Sequence, residues 1–377
     1  MKNLKKIVSL SAFLALIGSS TLWAVQEPII IQSIRSMGMG GVQTTIMYDE
    51  NCLYSNPANL SEIKKGSLKY LGLNVGASAY TLSSVSNFLS SVSAVSGNDY
   101  SSVSSLLGSQ LDVRINPLTS PLLSYVDNGI GFGVFDAARF HLKITGNLPP
   151  NIEVNGVNDS LAVIGKSFHI IGPWTAGVSV KYLYRLSSWD LNDGDNILSV
   201  PVTSFNNAGY SSLMGSALGY DIGINTDISL PIGDAKLAIV QQNLGMNLNA
   251  TVTTGNQSLA LSEAIPAYGI IGLSFQADFR GMPMIGPMLG GKTTVAADYA
   301  AVGEFSTVFK RIHLGAEHQF SNGWIMRSGY NEGNWCAGLG IRMLFINVDY
   351  AYFVEELGSE IGLNRVANHI VALNIQF

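Results

Sequence analysis

His369-Ile370-Val371-Ala372-Leu373-Asn374-Ile375-Gln376-Phe377 ends the sequence, and its two faces differ in kind. Val371, Leu373, Ile375 and Phe377 share one side of an extended chain; Ile370, Ala372, Asn374 and Gln376 share the other, which is the period-two signature of a strand. One side suits hydrocarbon and the other tolerates water. The same alternation recurs upstream. Val178, Val180, Tyr182 and Tyr184 oppose Gly177, Ser179, Lys181 and Arg185, and Tyr220, Ile222, Ile224, Ile228 and Leu230 oppose Asp221, Gly223, Asn225, Asp227 and Ser229. Ile271, Leu273 and Phe275 oppose Gly272, Ser274 and Gln276; Ile312, Leu314 and Ala316 oppose His313, Gly315 and Glu317; Ile346, Val348, Tyr350 and Tyr352 oppose Asn347, Asp349 and Ala351. Charge falls almost entirely on one face. A soluble sandwich would turn that face to water and crowd it with Lys and Glu, whereas small residues and glycine predict an enclosed, crowded lumen.

Composition agrees. Of 377 residues only 12% are charged against 47% hydrophobic, roughly half the charge of an ordinary soluble domain. Residues 1–24 read as a secretory signal peptide: Lys2, Lys5 and Lys6 form its basic start, Ile7 to Ile17 its apolar run, and small residues lead to Ala24. Beyond it no run approaches the ~18 to 20 unbroken apolar residues of a membrane helix. Only helices and closed barrels satisfy every backbone group in hydrocarbon, so a membrane-embedded chain of this kind must be a barrel. Loss of the three signal-peptide lysines takes the formal charge from −5 to −8, which offers nothing to nucleic acid. Cys52 and Cys336 match no metal spacing, and no cofactor is expected. The five histidines, His141, His169, His313, His318 and His369, lie in separate segments, with neither G-x-S-x-G nor H-E-x-x-H present, so no enzyme is expected.

The amino-terminal stretch carries a different pattern: Arg35, then Met37-Gly38-Met39-Gly40-Gly41, then Asp49, then Asn56-Pro57-Ala58-Asn59-Leu60. The glycine spacing is not that of a dinucleotide loop, and no βαβ unit surrounds it. Glycine allows close backbone approach, Asn56 can bond nearby backbone, and Pro57 fixes a turn, all of which suit a segment packed tightly without regular structure. In order, these residues resemble the amino-terminal hatch of the FadL and PorV superfamily of outer-membrane proteins. The aromatic Phe377 likewise resembles the terminal signal of bacterial outer-membrane barrels. The resemblance implies an outer-membrane location, outer-membrane lipid and the barrel assembly machinery as partners, and a hatch or plug role for Arg35, Met37, Gly38, Gly40, Gly41, Asp49, Asn56, Pro57 and Ala58.

The expected fold is therefore all-β: a transmembrane antiparallel barrel over residues 67–377, behind the signal peptide and a plug at 25–66. Thr81 to Gln110 is Ser-rich, with Val85, Phe88, Leu89, Val92 and Val95 at helical spacing and a break at Gly97-Asn98, which predicts a short helical insertion at 82–110. Tight connections fall at Asp127-Asn128-Gly129, Gly172-Pro173, Pro231 to Asp234, Ser321-Asn322-Gly323 and Leu344-Phe345, as short periplasmic turns should. Intervening connections near 187–214, 249–266, 301–308 and 354–366 are mostly longer; Gly281 to Gly291 is long yet falls on the periplasmic side. Counting gives about fourteen strands, the FadL number, with twelve open because Pro117 and Pro121 interrupt one segment. Lys181, Arg185, Asp221, Asp227, Asp278, Asp298, Glu317, Arg327, Arg342 and Asp349 should face the lumen and bond to one another and to the plug.

Two functions follow from the resemblance. On the FadL side the barrel is a channel or transporter for a hydrophobic small molecule such as a fatty acid, with Leu82, Phe88, Leu89, Leu106 and Leu107 lining a capture groove. On the PorV side it is a docking or shuttle component for exported proteins, whose loops bind polypeptide. The loops are rich in Ser and Asn, which counts mildly against fatty acids.

Overall fold

A computed structural model describes residues 29, 31–64, 66–78, 110–116, 121–145, 151–189, 198–201, 211–254, 257–280, 290–301, 308–356, 361–362 and 365–376. The signal peptide, the helical insertion with Leu82, Phe88, Leu89, Leu106 and Leu107, most of Gly281 to Gly291, and Phe377 lie outside these residues.

The alternating segments are strands: β1 (Ser67–Ser78), β2 (Gln110–Asn116), β3 (Leu123–Asp127), β4 (Ile130–Thr145), β5 (Asn151–Ile171) and β6 (Trp174–Ser188). They continue as β7 (Leu198–Pro201), β8 (Ser212–Leu230), β9 (Gly233–Leu244), β10 (Asn247–Thr254), β11 (Gln257–Ala264) and β12 (Tyr268–Asp278). Last come β13 (Gly291–Ala301), β14 (Ile312–Phe320), β15 (Trp324–Asn331), β16 (Asn334–Met343), β17 (Ile346–Glu356) and β18 (Arg365–Gln376). All join one antiparallel sheet, and β18 pairs with both β17 and β1.

The described residues thus hold eighteen strands, not the fourteen or twelve expected. Interruption and loop structure account for the difference. The stretch containing Pro117 and Pro121 separates β2 from β3, because proline cannot donate to a ladder; the two lie end to end, both along β1 and both along β4. Strand β7 continues the β5 ladder past the end of β6. A hairpin of β10 and β11 extends the sheet from the start of β8. These last three strands fall within or overlap stretches read from sequence as long loops, 187–214 and 249–266.

At one end of the sheet the connections are tight. Asn128 and Gly129 both have positive φ, 43° and 84°, the backbone that matches strand twist in a two-residue hairpin and that Asn-Gly adopts at least cost. Gly172, Gly323 and Leu344 also turn through positive φ at this end. The opposite end also holds tight turns, Gly245-Met246 between β9 and β10 and Glu332-Gly333 between β15 and β16, which the loop-length pattern did not anticipate.

The two sheet faces separate by residue type. Val178, Val180, Tyr182, Tyr184, Tyr220, Ile222, Ile271, Leu273, Leu314, Val371 and Leu373 are exposed, while Gly177, Lys181, Arg185, Asp221, Ser274, Glu317, Ile370 and Ala372 are buried. Against the buried face lies an inner segment, residues 31–64, containing helix α1 (Ile34–Gly38), helix α2 (Cys52–Ser55) and a 3-10 turn at Pro57–Glu62. Helix α1 touches β15 to β18, and the 3-10 turn touches β4, β5, β6 and β8, so the segment reaches strands from both halves of the sheet. Asn56 starts the 3-10 turn: its side-chain oxygen accepts from the Ala58 amide at 3.1 Å, and Pro57 supplies a preset φ in the first position.

Candidate functional site

The inner segment seats on glycines of the wall. A Cβ at Gly177 would overlap the Pro57–Ala58 backbone, and one at Gly329 or Gly315 would overlap the backbone of Met39 or Gly40. At Gly223 it would meet the Asn56 side chain, and at Gly272 it would come 2.8 Å from Thr44 Cβ. Gly38 lies on Gly338, whose Cα would be 3.2 Å from a Cβ at position 38. Gly40 and Gly41 turn the chain through φ of 69° and 87°, where a side chain is strained as well as crowded. Met37 packs with Cys336, Ala351 and Phe353.

Polar groups tie the same segment down. The Arg35 guanidinium donates from Nε (2.9 Å) and Nη2 (2.6 Å) to the two oxygens of Glu317, and from Nη1 to the Ile46 carbonyl (2.6 Å). Glu317 accepts from Arg327 Nε at 2.7 Å; Arg327 Nη1 donates to Asp349 at 2.7 Å, and Arg342 Nη1 to the other Asp349 oxygen at 2.6 Å. Three guanidiniums and two carboxylates therefore alternate in one chain, as buried charges require. Asp298 accepts the Gln43 and Thr44 amides and the Thr44 hydroxyl at 2.8 to 2.9 Å. Asn56 and Asn59 both donate to the Thr44 carbonyl, at 2.8 and 3.0 Å. Asp49 accepts the Asn51 amide at 3.0 Å and lies 3.9 Å from Lys69 Nζ.

Elsewhere on the buried face Arg185 grips Asp159 through two bonds of 2.7 and 2.8 Å, and Lys181 pairs with Asp221 at 2.7 Å. Lys236 bridges Asp227 to Glu62 of the inner segment, at 3.1 and 3.0 Å. Asp278 departs from the expected lumen set. It is the last residue of β12, where its side chain is exposed among the described residues and bonds to Arg280 two residues on.

A feature the alternation missed is that much of the buried face is apolar. Phe135, Leu161, Val163, Leu183, Trp189, Leu213, Met246, Leu248 and Val252 form one cluster with Met39, Met47, Leu53, Tyr54 and Leu60 of the inner segment. The signal was a loss of contrast: in Leu161-Ala162-Val163-Ile164 and Tyr182-Leu183-Tyr184 both faces are apolar, which marks burial on each side.

The inner segment also carries a titratable latch. Glu50 lies buried in an ion pair with Lys69 of β1 at 2.7 Å. Burial pushes its carboxyl up from 4.5 to about 7, with Lys69 opposing the rise and Asp49 adding to it. A carboxyl whose docked value is raised holds a proton that the released segment gives up. This group's contribution to docking is therefore complete below pH 4.5 and lost as pH rises through about 7. We expect resistance of residues 31–64 to protease to fall across that window, by on the order of 3 kcal/mol at most between its ends; Glu50→Gln should abolish the slope, and a slope unchanged in that variant would assign it elsewhere.

The buried ion pairs, the inner segment and the apolar exposed face define a class: an antiparallel β protein with one sheet face apolar and exposed and the other filled by its own amino-terminal chain. No protein-family model matches the sequence, and no curated protein does. Among solved structures the chain is similar to a TodX deltaS2S3 mutant described as a monoaromatic hydrocarbon channel, at 14% identity and a TM-score of 0.49, over 92% of this chain and 98% of that one. It is also similar to the toluene transporter TbuX of Ralstonia pickettii (14%, 0.46, 92% and 98%) and to a FadL homologue of Pseudomonas aeruginosa (10%, 0.43, 94% and 99%). With TM-scores under 0.5, none of the three bears on what this chain carries.

Proposed function

We propose that the chain is an outer-membrane channel for a small hydrophobic molecule, its sheet closed as a barrel and residues 31–64 acting as the plug. Closure is supported by the pairing of β1 with β18 on one side and with β2 and β3 on the other. An exposed apolar face and tight turns at one end support the outer-membrane setting. The observation that carries the substrate class is the apolar inner wall. A lumen that conducts polar solutes is lined with polar groups, whereas here Leu161, Leu183, Trp189, Leu213, Leu248 and Val252 face inward and run onto Met39 and Met47 of the plug. Each buried ligand methylene is worth about 0.8 kcal/mol, so such a wall captures an apolar molecule without specific polar contacts. The docking alternative rests on loops that lie largely outside the described residues, and nothing in the wall favours it.

The test is uptake of a hydrophobic fluorescent amine-free probe by cells carrying Leu183→Ser with Trp189→Ala. Loss of these contacts should slow uptake about tenfold while the heat-modifiable band of the folded barrel persists. Uptake at the parent rate from a folded variant would reject the hydrophobic route.

A further inference from the structure

A polar cavity of about 280 Å³ lies between the plug and strands β1 and β14 to β18, toward the tight-turn end. It is separate in chemistry from the apolar wall described above. Two acceptors on its lining have no partner among the described residues: the second carboxylate oxygen of Glu50, which is 2% exposed, and the side-chain oxygen of Asn74, 5% exposed. Glu50 belongs to the plug and Asn74 to the wall, so the pair spans the cavity's boundary. Buried acceptors without donors are rare because each forfeits its hydration. The charge beside Glu50 has the matching sign: two carboxylates, Asp49 and Glu50, share one cation, Lys69, at 3.9 and 2.7 Å, while Arg35, Arg327 and Arg342 are bound to Glu317 and Asp349 in the adjoining chain of charges. A metal ion is the poorer fit, since no group of three His, Cys, Asp or Glu side chains is arranged to hold one among the described residues.

We propose that this cavity binds a small primary ammonium ion, which donates N–H bonds to Glu50 Oε2 and Asn74 Oδ1. A primary ammonium carries three donors, enough for both acceptors with one to spare for water or Asp49, and its single charge offsets the excess anion. The proposal does not rest on the hydrophobic route, because plug and wall form the cavity whatever passes through the lumen.

The experiment is equilibrium dialysis of radiolabelled propylammonium against the detergent-purified full chain at pH 8. Saturable binding is expected, competed by unlabelled propylammonium and not by tetramethylammonium, which has the same charge but no N–H. Glu50→Gln and Asn74→Leu should each weaken binding at least tenfold, and Arg280→Gln, at the exposed turn, should leave it unchanged. Absence of saturable binding to the folded parent would overturn the site, as would equal competition by tetramethylammonium. Should Glu50→Gln fail to fold, Asn74→Leu decides, and parent affinity in that variant counts against the proposal.

Discussion

Glu317→Gln is expected to cost about 3 to 5 kcal/mol, the loss that follows when one partner of a buried ion pair is removed. Glu317 is wholly buried and accepts from two guanidiniums at once, Arg35 of the plug and Arg327 of β15. An amide in its place offers one acceptor oxygen and no charge, leaving Arg35 without its paired carboxylate and Arg327 sharing Asp349 with Arg342. Removing Arg342 from the same chain of charges should matter far less. Its side chain is 38% exposed, so water replaces much of what Asp349 gave it, and Arg342→Gln should cost about 1 kcal/mol or less. The measurement is the urea midpoint for folding into phospholipid bilayers, read from the heat-modifiable band. Arg35→Gln added to Glu317→Gln should cost little more, because its partner is already gone. A Glu317→Gln midpoint within 1 kcal/mol of the parent would mean that the alternating chain does not hold the wall.

Which residues face out was legible because a strand places successive side chains on opposite faces, and in β6, β8 and β18 the two sets differ sharply in polarity. Turns such as Asn128-Gly129 were legible for a local reason, their demand for positive φ. Strand count was not local. Proline between β2 and β3 reads as one poor strand, and only pairing shows both halves aligned on β1 and β4. Strands β7, β10 and β11 are short, and β11 is largely exposed, so burial imposes little pattern on its sequence. The close-packing composition of the inner segment was readable, yet its seats were not: glycine at 177, 223, 272, 315 and 329 says that something comes close, without saying what. The apolar inner wall was hidden by the rule that worked elsewhere. Once Leu183 is flanked by Tyr182 and Tyr184, alternation no longer distinguishes lumen from lipid.

Those seats set up the second large effect. Gly177→Val is expected to expel the turn at Pro57–Leu60 while the sheet survives, since valine suits a strand and the obstruction is only with the plug. A Cβ at 177 would overlap the backbone of Pro57 and Ala58, which cannot swing aside as a flexible side chain would. Overpacking of this kind costs about 1 to 3 kcal/mol or more, and 3 kcal/mol changes the ratio of docked to released plug by about a hundredfold. Two readouts follow. Arg35, half-buried against Glu317 in the parent, should become a site of trypsin cleavage. Conductance across planar bilayers should rise at least about tenfold as the released state gains population. Gly156→Ala supplies the control, because a Cβ there meets only Phe140 at 3.5 Å, an ordinary contact. If Gly177→Val stays closed and trypsin-resistant while folded, then the plug is held by its ion pairs, hydrogen bonds and apolar contacts, Arg35–Glu317 and Asp298–Thr44 among them, and the glycine seats are incidental to its docking.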